Sequence, residues 1–414
     1  MRQGRPRPRL LILNQMAGPL TWELAQDLSR QLGPIALLTG HPETLAKGSQ
    51  GPISLFPSVS YNRATSLSRG LTWLMYLAHA FIWLQRWPGH IPCLLFSNPP
   101  LLPWLGFGLR RWRRRPYVVM IHDIYPDVLV RLKGLAENSL ITRLWRRLNR
   151  LSYEAADAVM TLGECMAATL AGQFDPTRTK TGRLEIIHPW ADTTLLRPLP
   201  KGENWFARSH AQVGKLTVMY SGNMGMGHDI ETMLSAARRL RLARDVHFMF
   251  IGAGPKRQIV ADYIRREAPA NVTLLPWQTE AVVPFSLAAA DVALVSLEAG
   301  AEGLAFPSKA LSAMAAGSAL LGLSHTPSDL QVLIEQFHCG LNIKPGDVEG
   351  LVQAILTFRD DKVFLQQCRR TGRLLAESTF ARSRNVRKVL DTISIMKIHN
   401  SVLSRSPQGN KDAT

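Results

Sequence analysis

The chain has 414 residues, 46% of them hydrophobic, and a formal net charge of +18. That length suits two domains, and the apolar content is ample for packed cores. Four cysteines, Cys93, Cys165, Cys339 and Cys368, are widely spaced with no C-x-x-C; they read as buried thiols in a reducing compartment and exclude a disulfide frame or a zinc site.

The N-terminus, Met1 to Arg9, is basic and Pro-containing, but the apolar stretch Leu10–Leu13 after it is too short for the core of a secretory signal and reads as the first buried strand. From there strands and helices alternate, as in doubly wound α/β domains. Residues 10–14 read as a strand, 21–32 as a helix, and 35–39 and 53–57 as further strands. Residues 93–97 form a strand ending at Asn98-Pro-Pro100, 101–114 a helix, and 117–121 a central strand. Residues 159–162 and 185–187 complete this sheet, and the segment 193–204, with Pro198 and Pro200, is the expected linker. The expected organisation is a first domain over 1–196, a second over 205–378, a helix over 379–398 and a disordered tail over 399–414.

The positive charge is unevenly placed. Arg110, Arg111, Arg113, Arg114 and Arg115 surround Trp112, and Arg143, Arg146, Arg147 and Arg150 surround Trp145. Upstream, the apolar run Leu71–Leu84 is shorter than the roughly 20 residues a membrane span requires. Arginine meets anionic headgroups while Trp and Leu enter the acyl boundary, so this composition predicts peripheral binding to an anionic membrane surface. A solvated basic face and a buried core helix are the plain alternatives. Nucleic acid is not expected, because nothing resembles a nucleic-acid fold and the arginines sit with apolar aromatics.

The second half carries the more specific signals. Leu216–Tyr220 reads as a strand running into the turn Ser221-Gly-Asn-Met-Gly-Met-Gly227, and the helix after it has Asp229 and Glu231 in its first turn. Glycines here permit close backbone approach to a phosphate, so strand, glycine loop and helix make a phosphate cradle. A second unit, Val246–Ile251 followed by Gly252-Ala-Gly-Pro-Lys256, repeats the pattern. The buried strand 291–297 precedes Gly303 to Gly317, in which Pro307 and Ser308 open a helix with Lys309 in its first turn. Lysine normally favours the other end of a helix, so Lys309 predicts an anion bound there. The bland reading is an Ala-rich core helix with Pro at its start.

Taken together and in order, these segments resemble the C-terminal half of a retaining, nucleotide-sugar-dependent glycosyltransferase of the GT-B fold, family four, in the bacterial polysaccharide and lipid-linked sugar branch. The resemblance rests on the SGNxGxxH loop at 221–228, GAGPK at 252–256 and PSKxLxxMAAG at 307–317. Phe96-Ser-Asn-Pro-Pro100, Ile121-His-Asp-Ile-Tyr-Pro-Asp127 and Ile187-His-Pro-Trp-Ala-Asp192 add to it. It covers roughly residues 8 to 380 and implies two Rossmann-like domains facing a cleft, with the last helix crossing back onto the first domain.

The resemblance implies a sugar nucleotide held by Gly222, Asn223, Gly225, Gly227, His228, Gly252, Gly254, Lys256, Trp277, Pro307, Ser308 and Ser312. Its diphosphate would lie on the loop amides and Lys309, and its base against Leu275-Pro-Trp277; plain core packing is the other reading of Trp277. The chain departs from the family pattern, because Asn223 and His228 stand where many members carry an arginine and a lysine that contact the donor phosphates. Lys309 and Lys256 must then supply more countercharge. A pair of glutamates eight positions apart is also missing: their positions are Leu304 and Ser312, with Glu298 and Glu302 nearby. Transfer would proceed through an oxocarbenium-like state, with charge on the departing diphosphate stabilised and no metal or further cofactor required. His122 and Asp123, at the end of a strand, can position or deprotonate the acceptor hydroxyl, the alternative being a pair that caps a loop; His188 and Asp192 are weaker candidates. A lipid-linked or glycan acceptor at the cytoplasmic membrane face fits the basic, Trp-rich surface. An inactive GT-B binding or assembly protein and a GT-B sugar-nucleotide epimerase are the competing readings.

Overall fold

The computed structural model describes residues 6–62, 64–131, 134–182, 184–297 and 299–403. They fall into two compact units. The first is built from the described residues within Met1–Leu162, Thr169–Ile187 and Val386–Thr414, the second from those within Gly163–Ala168 and His188–Asn385.

In the first unit, short runs such as Leu-Leu-Ile-Leu and Tyr-Val-Val-Met are apolar on both faces, which suits strands covered by helices on either side. They form β1 (Leu10–Leu13), β2 (Ile35–Thr39), β3 (Ile53–Pro57), β4 (Cys93–Phe96), β5 (Tyr117–Met120), β6 (Ala158–Thr161) and β7 (Leu184–Ile186). The sheet is parallel throughout, in the order β3-β2-β1-β4-β5-β6-β7. β1, β2, β4, β5 and β6 are buried along their whole length; only the edge strands are partly exposed.

The second unit contains β8 (Leu216–Ser221), β9 (Val246–Ile251), β10 (Val272–Leu275), β11 (Val292–Ser296), β12 (Ala319–Leu323) and β13 (Gly340–Ile343). It is again parallel, in the order β10-β9-β8-β11-β12-β13. The strand order reverses between β8 and β11, and ligands of open α/β sheets bind beyond the strand ends at such a reversal. The loops leaving β8 and β11 are the glycine turn 221–228 and the segment that leads to Lys309.

The Pro-containing segment expected to link two domains is packed on the second unit. Arg373 donates to the carbonyls of Thr193, Leu196 and Ala315, Leu196 is buried with Val295 and Met314, and Lys201 pairs with Asp291. The helix Arg382–Leu403 runs past residue 399, where the tail was expected to begin; residues 404–414 lie outside the described residues. From Val386 onward this helix counts with the first unit, where Lys388 donates to the carbonyl of Ile186.

The apolar run at 71–84 lies within one helix, Ser66–Gln85, started by a Thr65–Ser68 capping box. It buries Trp73, Tyr76, Ala80, Trp83 and Leu84 and leaves its other side exposed, so it is not a buried core helix. No helix of the described residues is long and apolar enough to cross a membrane. The basic clusters also divide. Arg115 is 1% exposed and donates to the carbonyls of Leu84, Trp87 and Ile91, Arg110 pairs with Asp157 at 2.8 Å, and Arg146 with Asp127 at 2.7 Å. These three hold the fold together; the neighbouring Arg111, Arg114, Arg143, Arg147 and Arg150 face solvent.

Candidate active site

In the second unit three loops interlock through glycines at positive φ. At Gly222 (φ +141°) an added Cβ would lie 2.6 Å from Lys309 Cε and 2.9 Å from its Nζ. At Gly252 (φ +138°) it would sit 2.0 Å from the carbonyl oxygen of Gly222, and at Gly254 (φ +134°) 2.6 Å from that of Met224. At Gly252 and Gly254 backbone atoms bar any side chain, whereas at Gly222 a side chain would have to displace the Lys309 tail and adopt a strained φ. The loops are tied by Gly222 N–H to Ile251 O (2.9 Å), Met224 N–H to Ala253 O (2.7 Å) and Lys256 N–H to Met224 O (3.0 Å). The amides of Asn223, Gly225, Met226 and Gly227 have no acceptor among the described residues, which leaves them open to an anion.

Lys309 reaches into this arrangement from the first turn of the helix Ser308–Ala315, which has no side-chain cap and no acidic residue in its first turn. Its Nζ donates to Tyr220 Oη and to the carbonyl of Asn223, both at 3.1 Å, and lies 4.8 Å from the Tyr220 ring centre. Among the described residues it has neutral oxygens and a π face for partners and no carboxylate, and burial lowers its pKa from 10.5 to about 8. Tyr220, whose hydroxyl also donates to Asn223 O at 2.7 Å, escaped the sequence reading, where it looked like one more buried strand residue; its place as the last buried position before the glycine turn was the available signal.

Other groups near the loop differ from Lys309 in how their charge is met. Lys256 Nζ donates to Glu231 Oε2 at 2.8 Å and to the carbonyl of His228 at 2.7 Å, so its countercharge is spoken for. His228, read from the sequence as a stand-in for a family lysine, is neutral near pH 7: burial first, then the ammonium of Lys309, pull its pKa down to about 4, while a hydrogen bond with Ser296 opposes the shift. Its Nδ1 is buried without a hydrogen-bond partner. The Asn223 side chain lies between the Gly254 and Gly225 backbones. Asp229 caps the helix Ile230–Arg239 at Thr232 N–H and holds Gly346 N–H at 2.9 Å, while its own N–H donates to Ser296 Oγ. Pro307 is buried, Ser308 exposed and Ser312 half-buried. Trp277 is 57% exposed, which removes the core-packing reading. Glu302 keeps one buried carboxylate oxygen without a partner among the described residues, and Glu298 lies outside them.

In the first unit His122 and Asp123 follow β5 as expected. The His122 N–H donates to Ser97 Oγ at 2.9 Å, its ring stands edge-on to Phe96 at 5.2 Å, and burial lowers its pKa to about 4. In the second unit the His188 ring lies 4.9 Å from that of Phe380 and 6.2 Å from that of Phe306. Asp192 holds the Thr194 and Leu195 N–H groups and the Thr194 hydroxyl, making it a turn cap. No group of three His, Cys, Asp or Glu side chains among the described residues could hold a metal ion.

Known proteins match both units. A glycosyl transferase 4-like domain matches residues 18–190, and a glycosyl transferases group 1 domain matches residues 215–361. The chain is 31% identical over 363 residues to the "Probable glycosyltransferase WbjE" of Pseudomonas aeruginosa, covering 83% of this chain and 86% of that protein. Among solved structures, Anabaena Alr3699/HepE superposes with a TM-score of 0.70 at 16% identity, over 93% of this chain and 99% of that one. WaaG, a glycosyltransferase involved in lipopolysaccharide biosynthesis, superposes at 0.64 and 15% identity, over 89% and 95%. At these identities the structures speak for the fold, whereas the match to WbjE carries the family. The chain belongs to the family-four glycosyltransferases of GT-B fold.

Proposed function

We propose that the protein moves a sugar from a nucleoside-diphosphate sugar, with retained anomeric configuration, to a lipid-linked or glycan acceptor at the cytoplasmic face of the membrane. The observation that carries the donor half is the Lys309 ammonium, held without a carboxylate partner among the described residues, beside four loop amides that likewise find no acceptor there. A departing diphosphate placed there meets N–H groups, a helix N-terminus and a cation already in position, so little reorganisation is needed as its charge develops. The HepE structures hold UDP and UDP-glucose, which supports a nucleotide-sugar donor on this fold. The exposed Trp277, two residues beyond β10, offers a face for the base.

His122 is neutral near pH 7 and a weak base, which fits orienting an acceptor hydroxyl better than storing its proton. The side of the first unit that carries Trp112 and the solvent-facing arginines supports an acceptor presented at a membrane.

The test is transfer by membrane extracts from a panel of sugar nucleotides, comparing the wild type with Lys309→Ala. Loss of one leaving-group donor is expected to lower kcat/KM by about 100-fold or more. Unchanged transfer in the variant would remove the phosphate assignment.

A further inference from the structure

We infer that the exposed face of the helix Ser66–Gln85, joined to Trp112, is an in-plane anchor that enters an anionic lipid surface. This deepens the membrane-side reading above by naming the element that inserts and separating it from the arginines that do not take part.

Leu67, Leu71, Leu74, Met75, Phe81 and Ile82 are all exposed, and at about 100° per residue they fall on one side of the helix. The opposite side is the one that packs, through Trp73, Tyr76, Ala80, Trp83 and Leu84. Six large apolar side chains in one row are more than scattered surface hydrophobics explain. The row continues sideways: Phe81 stacks on Trp112 with centroids 6.2 Å apart and planes 19° apart, and Trp112 is itself 63% exposed.

The neighbouring helices supply charge. The crossovers β3 to β4, β4 to β5 and β5 to β6 all run in one direction along the sheet, so their helices, Ser66–Gln85, Leu102–Arg113 and Leu140–Glu154, share one face of it. They touch in series: Trp112 meets Phe81, and Trp104 meets Trp145 at 5.8 Å and donates to Asn149. These three helices carry eight arginines and one acid, Glu154, and that acid is paired with Arg178. Beside the row, Arg113 lies over the Trp112 ring at 4.9 Å. Leu140, Ile141 and Leu144 are exposed next to Arg143 and Arg147.

An apolar row flanked by one sign of charge matches a surface that is apolar inside and anionic at its boundary. It does not match a protein partner's mixed rim.

The experiment uses the full-length protein and vesicles of phosphatidylcholine with and without phosphatidylglycerol. Wild type is expected to co-sediment with the anionic vesicles and to bind about tenfold more weakly at high salt. Leu71→Glu with Leu74→Glu should weaken vesicle binding by about tenfold or more while leaving the thermal midpoint unchanged, because both side chains are exposed. Arg143→Gln with Arg147→Gln should reduce the preference for phosphatidylglycerol. In a Cys165→Ser background, whose other thiols are buried, an environment-sensitive dye on Leu74→Cys should shift to the blue with vesicles, and the same dye on the exposed Leu242→Cys of the second unit should not. Wild type that ignores vesicles, or a double glutamate variant that binds as well as wild type, overturns the inference. Self-association abolished by Leu74→Glu, with no vesicle binding, overturns it in favour of a contact between copies. Nucleoside diphosphate binding, read by calorimetry, should be unchanged in all these variants, so failure of the anchor and failure of the donor assignment are separable.

Discussion

The Lys309 ammonium makes a quantitative prediction about pH. Burial moves its pKa from 10.5 to about 8, a penalty of about 3 kcal/mol on the charged form in the free protein. Between those two values the unfolded chain binds the proton and the folded chain releases it, so stability rises as pH goes from about 8 to about 10.5. A diphosphate bound beside Nζ favours the charged form and draws the proton back. Near pH 8 about half of the free protein lacks it, so binding should take up about half a proton per site. From pH 7 to pH 9 the protonated fraction falls about tenfold, and affinity should follow, a change of about 1.4 kcal/mol. His228 and His122, both near 4, do not titrate in this window. The assay is calorimetry from pH 7 to 9, in buffers of differing ionisation enthalpy, with the nucleoside diphosphate that a thermal-shift panel of UDP, GDP, ADP and dTDP selects. Lys309→Met should abolish both proton uptake and slope, and the free variant should be no less stable than wild type at pH 7, since it removes a buried charge. A flat profile in wild type, or an equal slope in Lys309→Met, would refute the reasoning.

Two further substitutions test how the units are built. Gly252→Ala places a Cβ 2.0 Å from a backbone oxygen at φ +138°, so it should cost about 3 kcal/mol or more and lower the midpoint of the second unit by roughly 6–12 °C, read by calorimetry. Arg115→Met leaves the carbonyls of Trp87 and Ile91 without a partner among the described residues and takes one of its donors from that of Leu84, at the end of the helix Ser66–Gln85. About 3 kcal/mol of destabilisation is expected, with faster amide exchange in the last turn of Ser66–Gln85.

The two parallel sheets were legible because strands buried on both faces announce themselves as short apolar runs, and the first seven strands were placed to within a residue. β12 and β13 were missed for a local reason. Ala-Leu-Leu-Gly-Leu follows directly on an Ala-rich helix, so its apolar character merges with the helix before it, and Gly-Leu-Asn-Ile is half-polar because it lies at the sheet edge. At the candidate site, residue types signalled the glycine turn and Lys309, since both break a local preference: positive φ in one case, a cation at the positive end of a helix in the other. What residue types could not signal is how charge divides among neighbours. Lys256 and Lys309 look interchangeable in the sequence, yet one faces Glu231 and the other a phenol ring and a peptide oxygen. The same holds for the arginines around Trp112 and Trp145, where Arg115 closes a helix end, Arg110 and Arg146 meet aspartates, and Arg111, Arg143 and Arg147 are exposed. Pairing depends on contacts between residues distant in the chain, such as Arg110 with Asp157 and Lys256 with Glu231. The charge left over after pairing, rather than the count in the sequence, is therefore what the proposed donor and membrane contacts rest on.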